Sequence, residues 1–302
     1  MEFNQVESFV AVVQNKSFSK AAEVLYVSQP TVTSNVQKLE SNLGLSLINR
    51  KTKNIALTKG GEIFYRYAIE LINVCAKAEQ SLNGYKDKME GTLDVYASTI
   101  PEQYIVPYII RDFRKEFPSV RFSVRHKDSE AVLEEILLGA INFGFVGAKS
   151  MSDNIEYIDF YNDRLVLIAS PDKKVVKNPV SVESLVGENI LLREEGSGTR
   201  QLLVNALKKR NLDLNIFGLQ MTHESLETIK RLVILGEGIS FISEIAVKRE
   251  VESGELKQYE VQDLDFTRSF SLAYINNRCL SPLEEKFKAY ICNWSKAPNL
   301  TY

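Results

Sequence analysis

Residues 20–40 read KAAEVLYVSQPTVTSNVQKLE, and they contain two short helical patterns with almost nothing between them. Ala21 and Ala22 are small, which lets a crossing helix come close, while Ser28 and Pro30 suit the start of the second helix. We expect apolar contact across the pair. The residues predicted to make it are Val24, Leu25 and Val27 on one side and Val32, Val36 and Leu39, continued by Leu43, on the other.

The polar residues of the second helix are left on its outer face. They are Gln29, Thr31, Thr33, Ser34, Asn35 and Lys38. Short hydrogen-bonding side chains of this kind suit base edges and phosphates in a major groove about 12 Å wide. An ordinary αα-hairpin with a solvated face is the alternative that these residues alone leave open.

The flanking sequence favours a nucleic acid as the partner. Residues 1–60 hold seven basic and four acidic side chains, a net +3, whereas the remaining 30 basic and 35 acidic side chains give −5. Residues 45–58, LSLINRKTKNIALT, alternate around a basic tip and predict a small β-hairpin or wing. The asymmetry indicates that the first segment meets a polyanion.

The composition excludes several other classes of protein. Hydrophobic residues make up 44% of the 302 residues and charged residues 25%, which is typical of a soluble globular protein. There is no apolar run long enough to span a membrane and no basic segment before residue 16, so we expect a cytoplasmic protein without a signal peptide. Neither the scattered Cys75, Cys279 and Cys292 nor the two histidines form a zinc pattern, and we expect no metal and no cofactor.

The chain after residue 60 changes its pattern twice. Residues 61 to about 89 keep a helical apolar period with little to bury it in its own domain, and such a helix usually packs on another copy of itself. From residue 91, strands and helices alternate and predict α/β sheets with helices on both faces. The predicted strands are TLDVYAS, VRFSVRH, FGFVG, LVLIAS, NILLR, GISFIS and FSLAYI, and the predicted helices include PEQYIVPYIIRDFRKEF, SEAVLEEILLG, TRQLLVNALKKR and SLETIKRLVILG.

The first sixty residues resemble the winged helix-turn-helix of the LysR-type transcriptional regulators. The family run SQPxxSxxIxxLExxLGxxLFxRxxRxxxLTxxG is followed closely. The matching positions are Ser28, Gln29, Pro30, Leu39, Glu40, Leu43, Gly44, Leu47, Arg50, Leu57, Thr58 and Gly61. The sequence departs from the run at Thr33, Ile48 and Lys53, where the family favours Ser, Phe and Arg. Base preference can therefore differ from that of other members.

The resemblance covers the full chain and implies a fold. It implies an α/β protein with an N-terminal winged helix-turn-helix, a long linker helix and a two-lobe effector domain similar to type II periplasmic binding proteins. The expected boundaries are 1–60 for the DNA-binding domain, 61–90 for the linker and dimerisation helix, and 91–302 for the effector domain. Within it, lobe I would span about 91–162 and 268–302, and lobe II about 163–267. One departure is Asn142, where the family typically has Asp.

The resemblance also implies DNA-binding residues. Gln29, Pro30, Thr31 and Ser34 would face the groove, and Thr33, Lys38, Arg50 and Lys53 would hold phosphates. Gln29 is able to pair bidentately with adenine, and such a pair discriminates by about 1–3 kcal/mol.

Three strand-to-helix turns are candidates for an effector site, because ligands of open α/β sheets gather at the carboxyl ends of strands. They carry Ser98 and Thr99; Ser197, Gly198 and Thr199; and His223 with Ser225. Free N–H groups and hydroxyls at helix N-termini suit an anion. Simple N-capping by the three serines is the alternative for each turn, and Glu194 and Glu195 would disfavour a highly charged anion if they pointed inward.

We therefore predict a ligand-responsive DNA-binding regulator that senses a small anionic metabolite between two lobes. Its expected partners are promoter DNA, a small-molecule effector, RNA polymerase and a second or further copies of itself, as a homodimer or homotetramer, with no membrane. An enzyme is the first alternative, but the sequence has no GxSxG, HExxH or GxxxxGK[ST] motif. A solute-binding protein is the second, and the basic head argues against it.

Overall fold

The computed structural model describes residues 1–49, 55–84, 89–173, 178–262, 264–276, 278 and 280–294. The chain divides into two compact units. The first runs from the start of the chain through the long helix and includes Leu138–Ala140; the second contains the remainder from Met89 onward.

The first unit is a helix-turn-helix with a small hairpin. Its helices are α1 (Phe3–Asn15), α2 (Phe18–Val24), α3 (Gln29–Leu43) and α4 (Lys59–Gly84), and its strands are β1 (Ile48–Asn49) and β2 (Ala56–Leu57). The strands pair antiparallel as the predicted wing, with Ile48 opposite Leu57. Val6, Phe9, Ala21, Val36 and Leu39 belong to the core of this unit.

The predicted contact between α2 and α3 is wrong at three residues. Val24 is 58% exposed and Val27 is 43% exposed, although Leu25 packs against the core as expected. The cause is local, because α2 ends at Val24 and the chain reverses at Tyr26, whose φ of 55° lies in the left-handed region. The two valines therefore flank the turn instead of filling it. Leu43, the last residue of α3, is also exposed at its helix end.

The long helix α4 is partly buried by its own unit, contrary to the prediction. Ala68 and Ile69 are buried in the core, and Phe64, Tyr65 and Ile72 pack against it. The opposite face leaves a row of large apolar side chains in solvent. These are Ile63, Tyr67, Leu71 and Val74.

The second unit is built on one mixed sheet. Among the described residues its strands are β3 (Gly91–Ala97), β4 (Val120–His126), β5 (Phe143–Val146), β6 (Ile155–Ala169), β7 (Ile190–Leu192), β8 (Gln220–Thr222), β9 (Ile239–Ser243), β10 (Lys257–Tyr259) and β11 (Thr267–Ile275). Their order is β4-β3-β5-β11-β6-β9-β7-β8, with β10 paired to β6. The long strand β6 pairs with β11 over its first ten residues and with β9 beyond them. It therefore crosses from one half of the sheet to the other, and the two-lobe prediction is confirmed.

Helices cover both faces of this sheet, as predicted. They are α5 (Thr99–Tyr104), α6 (Val106–Glu116), α7 (Ser129–Leu137), α8 (Gly198–Lys208), α9 (Leu226–Ile234), α10 (Glu244–Glu252) and α11 (Pro282–Trp294). Residues of α5, α6, α9, α10 and α11 share one large core. Residues of α8 and of α7 belong to separate cores.

Three predicted elements differ from the structure. The single helix expected over PEQYIVPYIIRDFRKEF is broken at Ile105 into α5 and α6. Pro107 in the first turn of α6 accounts for the break, since it lacks an N–H and its ring would clash with the carbonyl group four residues earlier in a continuous helix. The strand expected at LVLIAS begins ten residues earlier as β6, and the helix expected to about Met89 does not include that residue. The strands β8 and β10 and the helices α10 and α11 were not predicted.

Candidate functional site

The N-terminal end of α3 is exposed and well fixed. The Ser28 hydroxyl accepts a hydrogen bond from the Thr31 backbone N–H at 3.3 Å and lies 2.8 Å from the Thr31 hydroxyl. The Ser19 hydroxyl donates to Oε1 of Gln29 at 3.1 Å and so orients the Gln29 amide. This end of the helix presents polar groups to solvent on a rigid support.

The structure places the predicted DNA-binding residues in three groups. Gln29, Pro30, Thr31 and Lys38 are exposed, whereas Thr33 and Ser34 are half-buried. Arg50 and Lys53 lie outside the described residues. Asn35, which the sequence placed on the outer face, instead turns inward, and its Nδ2 donates to the Ser8 hydroxyl at 2.9 Å.

One residue of α3 ties that helix to the wing. Oε1 of Glu40 accepts hydrogen bonds from the backbone N–H groups of Leu47, at 2.8 Å, and Ile48, at 3.1 Å. The position of the wing strands relative to α3 therefore depends on Glu40. The sequence motif contained this residue without showing what it does.

In the second unit, five of the seven residues named at the three candidate turns line one pocket. They are Ser98, Thr99, Ser197, Gly198 and Thr199. Ser98 and Thr99 follow β3 at the start of α5, and the other three begin α8 a few residues after β7. The lining also includes Asp128, Ser129, Gly147, Arg193, Glu194, Arg268 and Phe270. His223 does not line this pocket; it is exposed after β8, and its Nδ1 accepts from the Ser225 N–H at 2.9 Å.

The serines at the three turns do not all act as helix caps. The Ser225 hydroxyl accepts from the Thr228 N–H at 3.3 Å and is an N-cap in the ordinary sense. Ser98 and Ser197 occupy the same position in their helices, yet neither accepts a capping hydrogen bond through its side chain. Both line the pocket, where their uncapped hydroxyls can hydrogen-bond to a bound group.

Two arginines bring positive charge into the pocket. The Arg193 side chain is 4% exposed, and its Nη2 donates to the Thr99 hydroxyl at 2.9 Å. Nη1 of Arg268 donates to the Thr199 hydroxyl at 3.3 Å. Among the described residues, Nη2 of Arg268 and Oδ1 of Asn142 are the buried side-chain atoms that have no hydrogen-bond partner. An unsatisfied guanidinium N–H is costly inside a protein unless a ligand takes it.

Each arginine has an acidic partner. Arg193 forms a two-pronged pair with Glu194, at 2.8 Å and 2.7 Å. Nε of Arg268 donates to Oδ2 of Asp163 at 2.9 Å, and the Ser243 hydroxyl donates to the other oxygen at 2.6 Å. Burial raises the pKa of Asp163 despite these contacts, and burial lowers the pKa of Arg268. Desolvation is therefore the largest influence on both groups.

The pocket is small because the chain segments around it approach closely. Its free volume is about 20 Å³, enough for roughly one water molecule. A Cβ on Gly196 would lie 2.7 Å from the Asp128 carboxyl group, and one on Gly198 would lie 3.0 Å from the carbonyl carbon of Gly147. Glycine at both positions lets α8 and its preceding turn come this close to the first lobe.

Sequence reasoning missed the two arginines of this pocket, although it named Glu194 as a residue that could point inward. Arg193 is the last residue of the predicted strand NILLR, four positions before Ser197, and its position at the end of a strand was an available signal. The position of Arg268 in the pocket could not be predicted from a local signal of this kind. It lines the pocket because β11 pairs antiparallel with β6, which places Arg268 opposite Asp163.

The described part of the chain shows neither a metal-ion cluster nor a helix fit to span a membrane. No group of three or more His, Cys, Asp or Glu side chains there could hold a metal ion. No described helix is both long and apolar enough to cross a membrane.

Comparison with known proteins gives the family. The family described as "Bacterial regulatory helix-turn-helix protein, lysR family" matches residues 3–62, and "LysR substrate binding domain" matches residues 86–294. The "Probable RuBisCO transcriptional regulator" of Thalassiosira pseudonana is 30% identical over 274 residues, which cover 89% of each chain.

Two solved structures share the fold. Full-length OxyR from Pseudomonas aeruginosa has a TM-score of 0.77 and 19% identity, with 98% of this chain and 95% of that chain covered. The CcmR regulatory domain from Synechocystis PCC6803, solved in complex with 2-PG, has a TM-score of 0.63 and 23% identity, with 68% of this chain and 98% of that chain covered. The evidence is the helix-turn-helix of the first unit, the two-lobe domain of the second unit and both family matches. This chain belongs to the LysR family of transcriptional regulators.

Proposed function

We propose that this regulator changes its action on promoter DNA when a small anion binds in the pocket lined by Ser98, Thr99, Ser197, Gly198 and Thr199. The observation that carries the proposal is the buried Nη2 of Arg268, which has no hydrogen-bond partner and belongs to a residue of this pocket. Arg193, the uncapped hydroxyls of Ser98 and Ser197, and the N-terminus of α8 add further donors there. The 2-PG complex of the CcmR domain supports an anionic effector.

The lobes supply a means of transmitting the signal. Arg193 of the second lobe donates to Thr99 of the first, and Arg268 donates to Thr199, so an anion between these groups contacts both lobes. A ligand shifts a conformational equilibrium only by its difference in affinity for the two states. An anion that holds the four groups together favours the arrangement in which the two lobes meet at this pocket.

We expect Ser197→Ala with Thr199→Ala to abolish the effect of the anion on DNA binding while leaving DNA affinity without the anion unchanged. The two substitutions remove hydroxyls from the pocket but no charge. Binding to a duplex selected by the wild-type protein from a random library is measured with and without sulfate, phosphate, nitrate or acetate. Ser225→Ala is the control, because this hydroxyl caps α9 outside the pocket and costs about 1 kcal/mol of stability without touching the response. A normal response in the double variant would exclude the pocket.

For DNA recognition we propose that Gln29, Pro30, Thr31 and Ser34 meet base edges and that Thr33, Lys38, Arg50 and Lys53 contact phosphates. The exposed, oriented amide of Gln29 supports the first assignment. The family's promoter function also makes RNA polymerase an expected partner.

We expect Gln29→Ala with Ser34→Ala to weaken binding to the selected duplex about 10- to 100-fold, because a lost base contact costs about 1–3 kcal/mol. Binding to an unrelated duplex at the same salt concentration should change far less. Ser41→Ala, near the other end of α3, serves as the matched control, because the N-terminal part of a recognition helix makes the base contacts. Equal losses on both duplexes would remove Gln29 and Ser34 from base readout.

The exposed face of α4 supports self-association. Ile63, Tyr67, Leu71 and Val74 recur at helical spacing on the side that the unit's own core does not cover. Two such faces packed together would bury the row on both copies, as in other paired helices. We infer a homodimer through α4, with a homotetramer as the larger form.

A further inference from the structure

The carboxylate of Glu194 binds the Arg193 guanidinium in the way an anionic ligand would. Its two oxygens accept from Nε at 2.8 Å and from Nη2 at 2.7 Å. Parallel N–H···O bonds of this kind are the usual geometry by which arginine binds a carboxylate or other oxyanion. Because Arg193 and Glu194 adjoin in sequence, the pair exists without any ligand.

We infer that Glu194 is an internal competitor for the effector: it holds the Arg193 fork in the ligand-free chain, and the anionic group of the effector replaces it there. The inference rests on the proposed anion site and adds the residue that sets its affinity and its preferred charge. Glu194 acts through Arg193 and is a specificity-determining residue.

The space in the pocket supports an exchange. The free space holds roughly one water molecule, so an anion binds the Arg193 fork only by taking the place that Glu194 occupies there. The Glu194 side chain is 21% exposed, whereas that of Asp163 is 1% exposed and held by both Ser243 and Arg268. Glu194 is thus able to move from the Arg193 fork toward solvent, where the neighbouring Glu195, 91% exposed, already lies. Asp128 is also half-buried, but its Oδ1 accepts a hydrogen bond from the Ala131 backbone N–H at 2.8 Å.

The balance of charge in the pocket also favours replacement of Glu194 by the anion. Arg193 and Arg268 carry two positive charges, which Glu194 and Asp163 balance, and the carboxyl group of Asp128 also lines the pocket. An anion that entered with Glu194 in place would meet an excess of negative charge. Once Glu194 leaves, a ligand group with one negative charge restores the balance on Arg193. The class of ligand is therefore a small carboxylate or a singly charged oxyanion.

The test compares two adjacent glutamates. Acetate, nitrate, sulfate and phosphate are titrated into the full chain by calorimetry for the wild type, Glu194→Gln and Glu195→Gln. Glu194→Gln should bind the preferred anion about tenfold more tightly, because the charged competitor is gone. Glu195→Gln removes the same charge from an exposed side chain and should leave the affinity unchanged. Glu194→Asp keeps the charge but retracts it by one methylene, and should give an intermediate gain even if Glu194→Gln folds poorly.

The possible outcomes separate this inference from the proposed function. If the wild type binds an anion and Glu194→Gln binds it equally or less tightly, the inference is overturned and the pocket remains an anion site. Equal gains in Glu194→Gln and Glu195→Gln would also overturn it, since they would reflect net charge alone. Binding only in Glu194→Gln would support the competitor strongly. If neither the wild type nor either variant binds an anion, both proposals are overturned.

Discussion

Asp163→Asn is expected to lower the free energy of unfolding of the two-lobe unit by about 3–5 kcal/mol, the cost of breaking a buried ion pair. The substitution keeps the size of the side chain but removes its charge. Arg268 is then left as a buried cation whose Nη2 already has no partner. Urea unfolding followed by tryptophan fluorescence would measure the loss, because Trp294 packs against the core of this unit.

The adjacent ion pair on the same strand provides the control. Arg164 follows Asp163 in β6 and pairs with Glu244, with both side chains more than one third exposed. Glu244→Gln should cost less than about 1 kcal/mol, as exposed pairs generally do. A loss for Asp163→Asn no greater than that for Glu244→Gln would contradict the view that Asp163 compensates a buried charge.

Gly61→Ala is expected to disrupt the DNA-binding head and abolish DNA binding. A Cβ at this position would lie 2.0 Å from the backbone carbonyl oxygen of Leu47, a distance that no side-chain rotation relieves. Overpacking costs about 1–3 kcal/mol and more where the backbone must move. Leu47 also receives the Glu40 contact that ties α3 to the wing, so the strain acts on the elements that meet DNA.

The preceding glycine offers a matched control for this prediction. A Cβ on Gly60 would be 3.7 Å from its nearest neighbour, which is ordinary contact. Gly60→Ala should leave the head stable or stabilise it slightly, since alanine favours the helix. Fluorescence anisotropy with a labelled duplex at low salt measures binding. Wild-type binding by Gly61→Ala, with an unchanged melting temperature, would mean that the Leu47 carbonyl does not lie against Gly61 at the start of α4.

The features that sequence reasoning obtained correctly are mostly local ones. Ser28 and Pro30 begin α3 because capping and the missing proline N–H act within one turn. The buried positions Ala21, Ala22, Val32 and Val36 follow from helical period in the same way. Val24 and Val27 were placed wrongly because their direction depends on the left-handed conformation of Tyr26. A tyrosine rarely adopts that conformation, so the sequence gives no signal for it.

The charged pair Arg268 and Asp163 could not be predicted from local sequence, because strand pairing brings the two residues together. Ser98, Thr99, Ser197 and Thr199 could be found because each follows a strand and opens a helix. Arg268 and Asp163 are 105 residues apart in sequence, and they meet because the two crossing strands pair in one register. His223 satisfied the same turn rule as the serines but does not line the pocket.

The melting temperature of the purified full chain, measured with a panel of anions, tests the central proposal most directly. The panel contains sulfate, sulfite, thiosulfate, nitrate, phosphate and small carboxylates. A specific ligand at 100 times its dissociation constant adds about 2.7 kcal/mol, which raises the melting temperature by roughly 5–10 °C for a unit of this size. We predict that one anion stands out in the wild type and has no such effect in the variant with Ser197→Ala and Thr199→Ala. An equal rise in both proteins, or no anion standing out, would contradict an anion-binding pocket between the lobes.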